Sequence, residues 1–445
     1  MTTTDHSISD RVTINTLPDD VLVEIFHFYV IHLRIGPNGW HTLVHVCQRW
    51  RHVVFASPRR LNLRLEYTGQ RPMSEMLDVW PVLPVAIRHD SRSYELSNSY
   101  RDSWENVVGA LESEPHRICA IGLPFFPTSR WERLAAAMQK PFPQLTFLLF
   151  WVEHNTVRYL PDSFLAGSAP LLRQLWLDNC QFPGIPKLLL SCSQLVVLSL
   201  FNIPDSGYIS PQELGTSLSV TSRLETLCVQ FQSPQYPASR PPLPLTRTVL
   251  PALTNLEFRG VHEYLEDLLA QIEAPLLSTL EITFFMDLEF VLPQLHRLIS
   301  HAKSFKTCDR ATVRTSARSI RFFIFRERPG ISRALVGNHG AVSWMGSFHR
   351  LPRSLDSSFP PLSTLVQLDI VDDVSQPHWR DDTQWLELLH SFTAVKDLRL
   401  SHQVAPHVCP SAGRCRGRQS NRHLTRSTEH FLEGPRAIRI CSEIY

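Results

Sequence analysis

His262 and Glu263 open the stretch HEYLE, the closest approach in this chain to the HExxH pattern, in which a helix presents two imidazoles to zinc. Glu266 stands where the second imidazole is needed, so the pair reads as two solvated side chains at a helix start. His402, His407, Cys409, Cys415 and His423 form a loose Cys/His group whose spacing fits no zinc module, and no metal is expected there. The signatures of nucleotide binding and acyl transfer, GxGxxG, GxxxxGK[ST] and GxSxG, do not occur. The expectation is a protein that is not an enzyme and that uses no cofactor.

The elements that position side chains must come from 445 residues, 43% hydrophobic and 19% charged, a globular composition. Lys plus Arg is 44 and Asp plus Glu 42, a formal charge of +2. So small a charge predicts neither nucleic acid nor anionic membrane as the main partner. The arginines 414, 416, 418, 422 and 426 read as a solvated basic tail. No apolar run reaches the ~18 residues of a membrane span, and the start MTTTDHSISDRVTIN is too polar for a secretory signal. Nine cysteines, an odd number without a CxxC pair, suit a reducing interior and predict a cytoplasmic or nuclear location.

Along the chain four stretches are expected: a disordered lead-in over 1–12, a helical module over 13–60, a long domain over 80–400, and a poorly ordered tail over 401–445. In the second, Pro18, Asp19 and Asp20 suit a first helical turn, and Val21, Leu22, Ile25, Phe26 and Tyr29 follow at helical spacing. After Gly36-Pro37-Asn38-Gly39, a second helical run carries Trp40, Leu43, Val44, Cys47, Trp50 and Val54. In the third stretch ten windows fit apolar-x-x-apolar-x-apolar, starting at Ile118, Leu145, Leu172, Leu195, Leu224, Leu253, Leu277, Ile320, Leu365 and Val395. Most gaps fall between 20 and 29 residues, the period of leucine-rich repeats. The fold class expected is therefore α/β: a short helical module followed by an irregular leucine-rich-repeat-like solenoid. Residues 328–354 lose this periodicity.

The stretch Leu17-Pro18-x-x-Val21-Leu22-x-Glu24-Ile25-Phe26, followed by Leu43-Val44-x-Val46-Cys47-x-x-Trp50-Arg51, resembles an F-box of the kind found in fungal proteins with leucine-rich repeats. The resemblance implies that Leu17, Pro18, Val21, Leu22, Ile25, Phe26, Leu43, Val46, Cys47 and Trp50 contact a Skp-type adaptor and, through it, a cullin ligase. On that basis the chain is expected to be the substrate-recognition subunit of a Skp–cullin–F-box ubiquitin ligase, bridging adaptor and an unknown protein substrate. The alternative is a leucine-rich-repeat interaction scaffold with no link to a ligase. The joining segment VIHLRIGPNG departs from the F-box pattern.

Within each window the third and fifth residues after the first leucine are expected to face the core, and the fourth and sixth the opposite face. That face then carries Leu149 and Trp151, Trp176 and Asp178, Ser199 and Phe201, Glu257 and Arg259, and Glu281 and Thr283. Trp151, Trp176 and Phe201 are the candidate anchors for a substrate, and Glu257 and Glu281 would favour a basic segment in it.

Overall fold

The computed structural model describes residues 14–32, 40–78, 83–88, 98–124, 126, 128–151, 157–234, 246–285, 292–305, 310–316, 319–325, 342–343, 365–372, 395–400 and 439–441. The lead-in 1–12, the joining residues 33–39, most of 328–354, and the Cys/His and arginine positions of the tail lie outside the described residues. Contacts divide the chain into two units, residues 1–124 with 140–147, and residues 125–139 with 148–445.

The first unit begins with α1 (Asp19–His32), α2 (Trp40–Val44) and α3 (Gln48–Ala56). Leu22 N–H donates to the Pro18 carbonyl at 3.1 Å, closing the first turn of α1, and Asp19 and Asp20 sit at its positive dipole end. Arg49 fastens this start to α3, donating to Asp19 Oδ1 at 2.7 Å and to the Leu17 carbonyl at 2.5 Å. The N-cap of α3 is Cys47, whose Sγ accepts from Trp50 N–H at 3.5 Å. Leu22, Phe26, Trp40, Leu43, Val44, Val53 and Val54 are buried.

Period-two patterning then takes over. The strands β1 (Leu65–Tyr67), β2 (Val85–Arg88) and β3 (Ile118–Pro124) pair in parallel. The connections carry α4 (Met73–Leu77) and α5 (Asn98–Ser113), and from α5 Trp104, Val107 and Leu111 are buried. The chain leaves β1 through Gly69 at φ +79°, in the left-handed region. Helix α5 holds that turn: Asn106 Nδ2 donates to the Gly69 carbonyl at 2.9 Å, and Ser103 Oγ to that of Thr68 at 3.2 Å. Tyr67 OH donates to the Arg71 carbonyl at 2.8 Å, and burial pushes its phenol up to about 12.

Helix α6 (Trp131–Ala137) belongs to the second unit, and β4 (Phe147–Trp151) falls at the division. There follow β5 (Arg158–Tyr159), β6 (Gln174–Asp178), β7 (Cys180–Gln181), α7 (Ile185–Leu189), β8 (Val197–Ile203), α8 (Pro211–Ser217), β9 (Thr226–Phe231), β10 (Thr248–Val249), β11 (Asn255–Gly260), α9 (His262–Gln271), β12 (Ile272–Glu273), β13 (Thr279–Phe284) and α10 (Pro293–His301). The strands β6, β8, β9, β11 and β13 pair in parallel in that order. Their inward leucines, among them Leu175, Leu198, Leu227, Leu256 and Leu280, are at most 1% exposed. Two short parallel ladders, β5 with β7 and β10 with β12, stand apart from that sheet.

Further on lie β14 (Arg310–Ser316), β15 (Ser319–Phe325), β16 (Val342–Ser343), β17 (Gln367–Asp372), β18 (Asp397–Leu400) and β19 (Arg439–Cys441). The short β16 pairs with β13. The others build a separate five-stranded sheet in the order β15-β14-β17-β18-β19, opened by the antiparallel pair β14–β15.

This architecture corrects the expected fold. Each of the ten sequence windows does coincide with a strand, but the strands divide between two sheets, seven in one and three in the other, instead of forming one uniform ladder. A stack of like repeats would continue the parallel register past residue 300. Instead β14 pairs with β15 antiparallel and takes β17, more than 50 residues away, as its parallel neighbour. The protein is a multi-sheet α/β protein, not a helical F-box followed by a leucine-rich-repeat solenoid.

Helices α9 and α10 show how local sequence places long-range contacts. Pro293 starts α10 without a donor of its own. The next two N–H groups, of Gln294 and Leu295, donate to the Glu266 carboxylate of α9 at 2.8 and 2.9 Å. In return Arg297 Nη2 of α10 donates to the Leu269 carbonyl at 2.6 Å, near the C-terminus of α9, where Arg247 Nε donates to the Ala270 carbonyl at 3.0 Å. Glu266→Ala is expected to lower stability by about 1–2 kcal/mol, the usual effect of losing a helix N-cap. Urea unfolding of variant and wild type checks this; a change under about 0.3 kcal/mol would show that solvent replaces the carboxylate.

Candidate protein-binding surfaces

The ten residues assigned to an adaptor contact divide by exposure. Leu22, Phe26 and Leu43 are buried at 0, 0 and 5% exposure, and Trp50 is half-buried with its ring 4.7 Å from that of Phe26. These side chains build the interior of the three-helix group. Leu17 is half-buried, Cys47 caps α3, and Pro18, Val21, Ile25 and Val46 are exposed. Val21 and Ile25 are joined on α1 by Phe28, at exposures of 38, 40 and 61%. Positions i, i+4 and i+7 share one helix face, so the three form a stripe opposite Leu22 and Phe26. Phe28 was not among the residues singled out in the sequence, although its spacing from Val21 and Ile25 is visible there.

The second surface is the outward face of the parallel sheet in the second unit. Register places Trp176 opposite Ser199, Ser199 opposite Cys228, Cys228 opposite Glu257, and Glu257 opposite Glu281. The five residues make one straight row across β6, β8, β9, β11 and β13. At its aromatic end the Trp176 and Phe201 rings stack, with centroids 6.0 Å apart and planes 27° from parallel. Both are half-buried, while Trp151, at the end of β4, is 48% exposed.

Two outward positions differ from the simple alternation. Ser199 is 1% exposed because it lies opposite Trp176 and two residues before Phe201 on the same face, beneath the stacked rings. Asp178 is 3% exposed, and its Oδ1 accepts from Asn202 Nδ2 at 2.6 Å. Beside it Asn179 and Asn202 both take positive φ, the conformation asparagine tolerates best after glycine.

At the other end of the row Glu257 is half-buried and Glu281 exposed. Gln230 Nε2 donates to Glu257 Oε1 at 2.5 Å. Arg259, two residues beyond Glu257 on the same face, has its guanidinium 5.2 Å above the Phe285 ring. Between the ends lies the Cys228 thiol, which burial first and then the Glu257 carboxylate push far up, so it stays protonated. Burial likewise pushes up the thiols of Cys180 and Cys192, the latter to about 11. These thiols lack the electropositive, accessible setting that makes a cysteine nucleophilic.

The HExxH-like stretch at 262–266 resolves into structural roles. His262 Nδ1 lies 3.1 Å from Glu263 Oε2 at the start of α9, and Glu266 serves the start of α10. Among the described residues no three metal-ligating side chains gather, and no helix is long and apolar enough to cross a membrane.

The chain matches no known family model, and no curated protein sequence matches it. The resemblance to F-box proteins with leucine-rich repeats is thereby corrected, together with the ubiquitin-ligase role it implied. The residues that carried it have other work: Leu22, Phe26 and Leu43 pack the helices, and Cys47 caps one of them.

Proposed function

We propose that this chain is a polypeptide-binding protein without catalysis of its own, and that Val21, Ile25 and Phe28 form one of its contact surfaces. The observation that carries this reading is the exposed apolar stripe on a helix already anchored from its other side by Leu22 and Phe26. Contiguous apolar surface of this kind marks interaction sites. Covering what remains exposed of each such side chain is worth about 0.5–2 kcal/mol. A Skp-type adaptor is a proposed occupant, as a binding partner in its own right. The reducing interior of a cell, cytoplasm or nucleus, suits the free and largely buried thiols at 119, 180, 192 and 228.

Titration calorimetry of the full chain with the purified adaptor tests the stripe. Val21→Asp/Phe28→Asp is expected to weaken binding at least about 100-fold, since two apolar contacts become buried carboxylates. Circular dichroism should be unchanged, because neither side chain enters the helix core. Binding that survives the double substitution would place the contact elsewhere. A folded wild-type chain that does not bind would remove the adaptor as its partner.

A further inference from the structure

In the first unit, the face of β1, β2 and β3 turned away from α5 carries two arginines that one carboxylate organises without using them up. Tyr67 points to α5, its OH 3.3 Å from the Asn106 carbonyl. Alternation therefore turns Arg64 and Glu66 to the opposite face. Ala86 stands in register with Glu66, and Arg88, two residues on, shares that face. The Glu66 side chain is 8% exposed, against 27% for Arg64 and 50% for Arg88. Arg64 Nε lies 3.6 Å from Glu66 Oε1, and Arg88 Nε lies 3.5 Å from Oε2.

Both contacts are made at Nε, and Glu66 Oε1 is buried without a hydrogen-bond donor on it. The terminal nitrogens of Arg64 and Arg88 have no acceptor among the described residues. Two guanidiniums against one carboxylate leave a positive charge in excess. Cys119 does not offset it. This residue is the extra one in a bulge of β3, opposite the step from Val85 to Ala86, and such bulges re-aim a side chain. Thr146 holds the bulge, donating to the Cys119 carbonyl through N–H at 2.8 Å and Oγ1 at 2.9 Å. Burial pushes the Cys119 thiol up against the opposing pull of Arg64 and Arg88, so it stays neutral beside them.

We infer that Arg64 and Arg88, held in place by Glu66, form a binding site for a phosphate group. Each guanidinium offers a planar fork of donors matched to two oxygens of one anion. A planar carboxylate has only two oxygens and can fill one fork. A tetrahedral phosphate has enough for both, and its second negative charge meets the excess positive charge. A free phosphate and a phosphorylated side chain present the same chemistry, and the test separates them. The site shares no residue with the α1 stripe, and either can fail without the other.

Titration calorimetry of the full chain at constant ionic strength uses two probes: inorganic phosphate, and a Gly/Ser peptide with one phosphoserine. The tighter-binding probe identifies the source of the phosphate. Arg64→Gln and Arg88→Gln are each expected to weaken that probe at least about tenfold. Arg88→Lys should not restore the affinity, because it keeps the charge and loses the fork. Arg59→Gln removes the same charge from an exposed arginine outside the cluster, and should change the affinity less than about twofold. Val21→Asp/Phe28→Asp should leave it unchanged. The bound anion should also slow modification of Cys119 by N-ethylmaleimide, followed by peptide mass spectrometry, and leave that of the exposed Cys47 as it was. An Arg59→Gln loss equal to that of Arg88→Gln would mean diffuse charge attraction and overturn the inference. So would unslowed modification of Cys119, or no binding of either probe at millimolar concentration.

Discussion

Tyr264→Ala is expected to lower the stability of the second unit by about 3–5 kcal/mol, the range for removing a large buried aromatic side chain. Tyr264 is fully buried in α9, with ring centroids of Phe231, Phe258 and Tyr208 at 4.7, 5.8 and 5.9 Å. Its OH donates to the Ile209 carbonyl at 2.9 Å. Tyr264→Phe keeps the ring and loses only that bond, which should cost about 1–3 kcal/mol because the buried carbonyl is left short. Both variants also differ from the wild type in their pH dependence, since neither carries the phenol. Burial holds the Tyr264 phenol well above its ordinary 10. Its contribution is therefore complete below about pH 10 and is lost as pH rises further, since the unfolded chain ionises first. Guanidinium unfolding followed by near-ultraviolet circular dichroism at pH 8 and pH 10.5 measures both effects. A cost under about 1 kcal/mol for the alanine variant would mean that neighbouring side chains refill the site.

Gly69→Ala should damage the first unit nearly as much. A Cβ at this position would lie 2.4 Å from the Ser103 carbonyl oxygen and 2.9 Å from a Val107 methyl, and the φ of +79° disfavours any L side chain. The left-handed conformation alone costs about 1–3 kcal/mol, and the contact with α5 adds about 1–3 kcal/mol more. The Asn106–Gly69 and Ser103–Thr68 bonds would stretch as the turn withdraws. Because two units are present, unfolding need not be one transition. The expected result is an earlier first transition with the second in place, which thermal unfolding by calorimetry would resolve. A single unshifted transition would show that the turn relaxes without strain.

Strand positions were legible in the sequence because period-two alternation of leucines is a local signal, and windows such as QLVVLSL and ALTNLEF became β8 and β11. Strand direction was not. Ile320 opens a window like the others, yet it lies on β15, antiparallel to β14, because apolar alternation reads the same in either orientation. The start of α1 was legible from Pro18, Asp19 and Asp20, whose roles at a helix start depend only on neighbours. Which face of that helix meets the interior was not, since Val21 and Leu22 are equally apolar and only the packing of α2 and α3 separates them. In the same way alternation pointed Glu257 and Glu281 outward correctly, but it could not foresee that two aromatic rings would cover Ser199.

The exchange of side chains between α9 and α10 has a consequence for how this region opens. Each helix end is completed by the other helix, Glu266 serving the start of α10 and Arg297 the end of α9. Fraying either end removes a partner from its neighbour, so the two ends share one opening free energy. Amide hydrogens of Gln294 and Leu295 should exchange with deuterium through the same cooperative event that releases the carbonyl of Leu269, and native-state exchange should place both helices in one foldon.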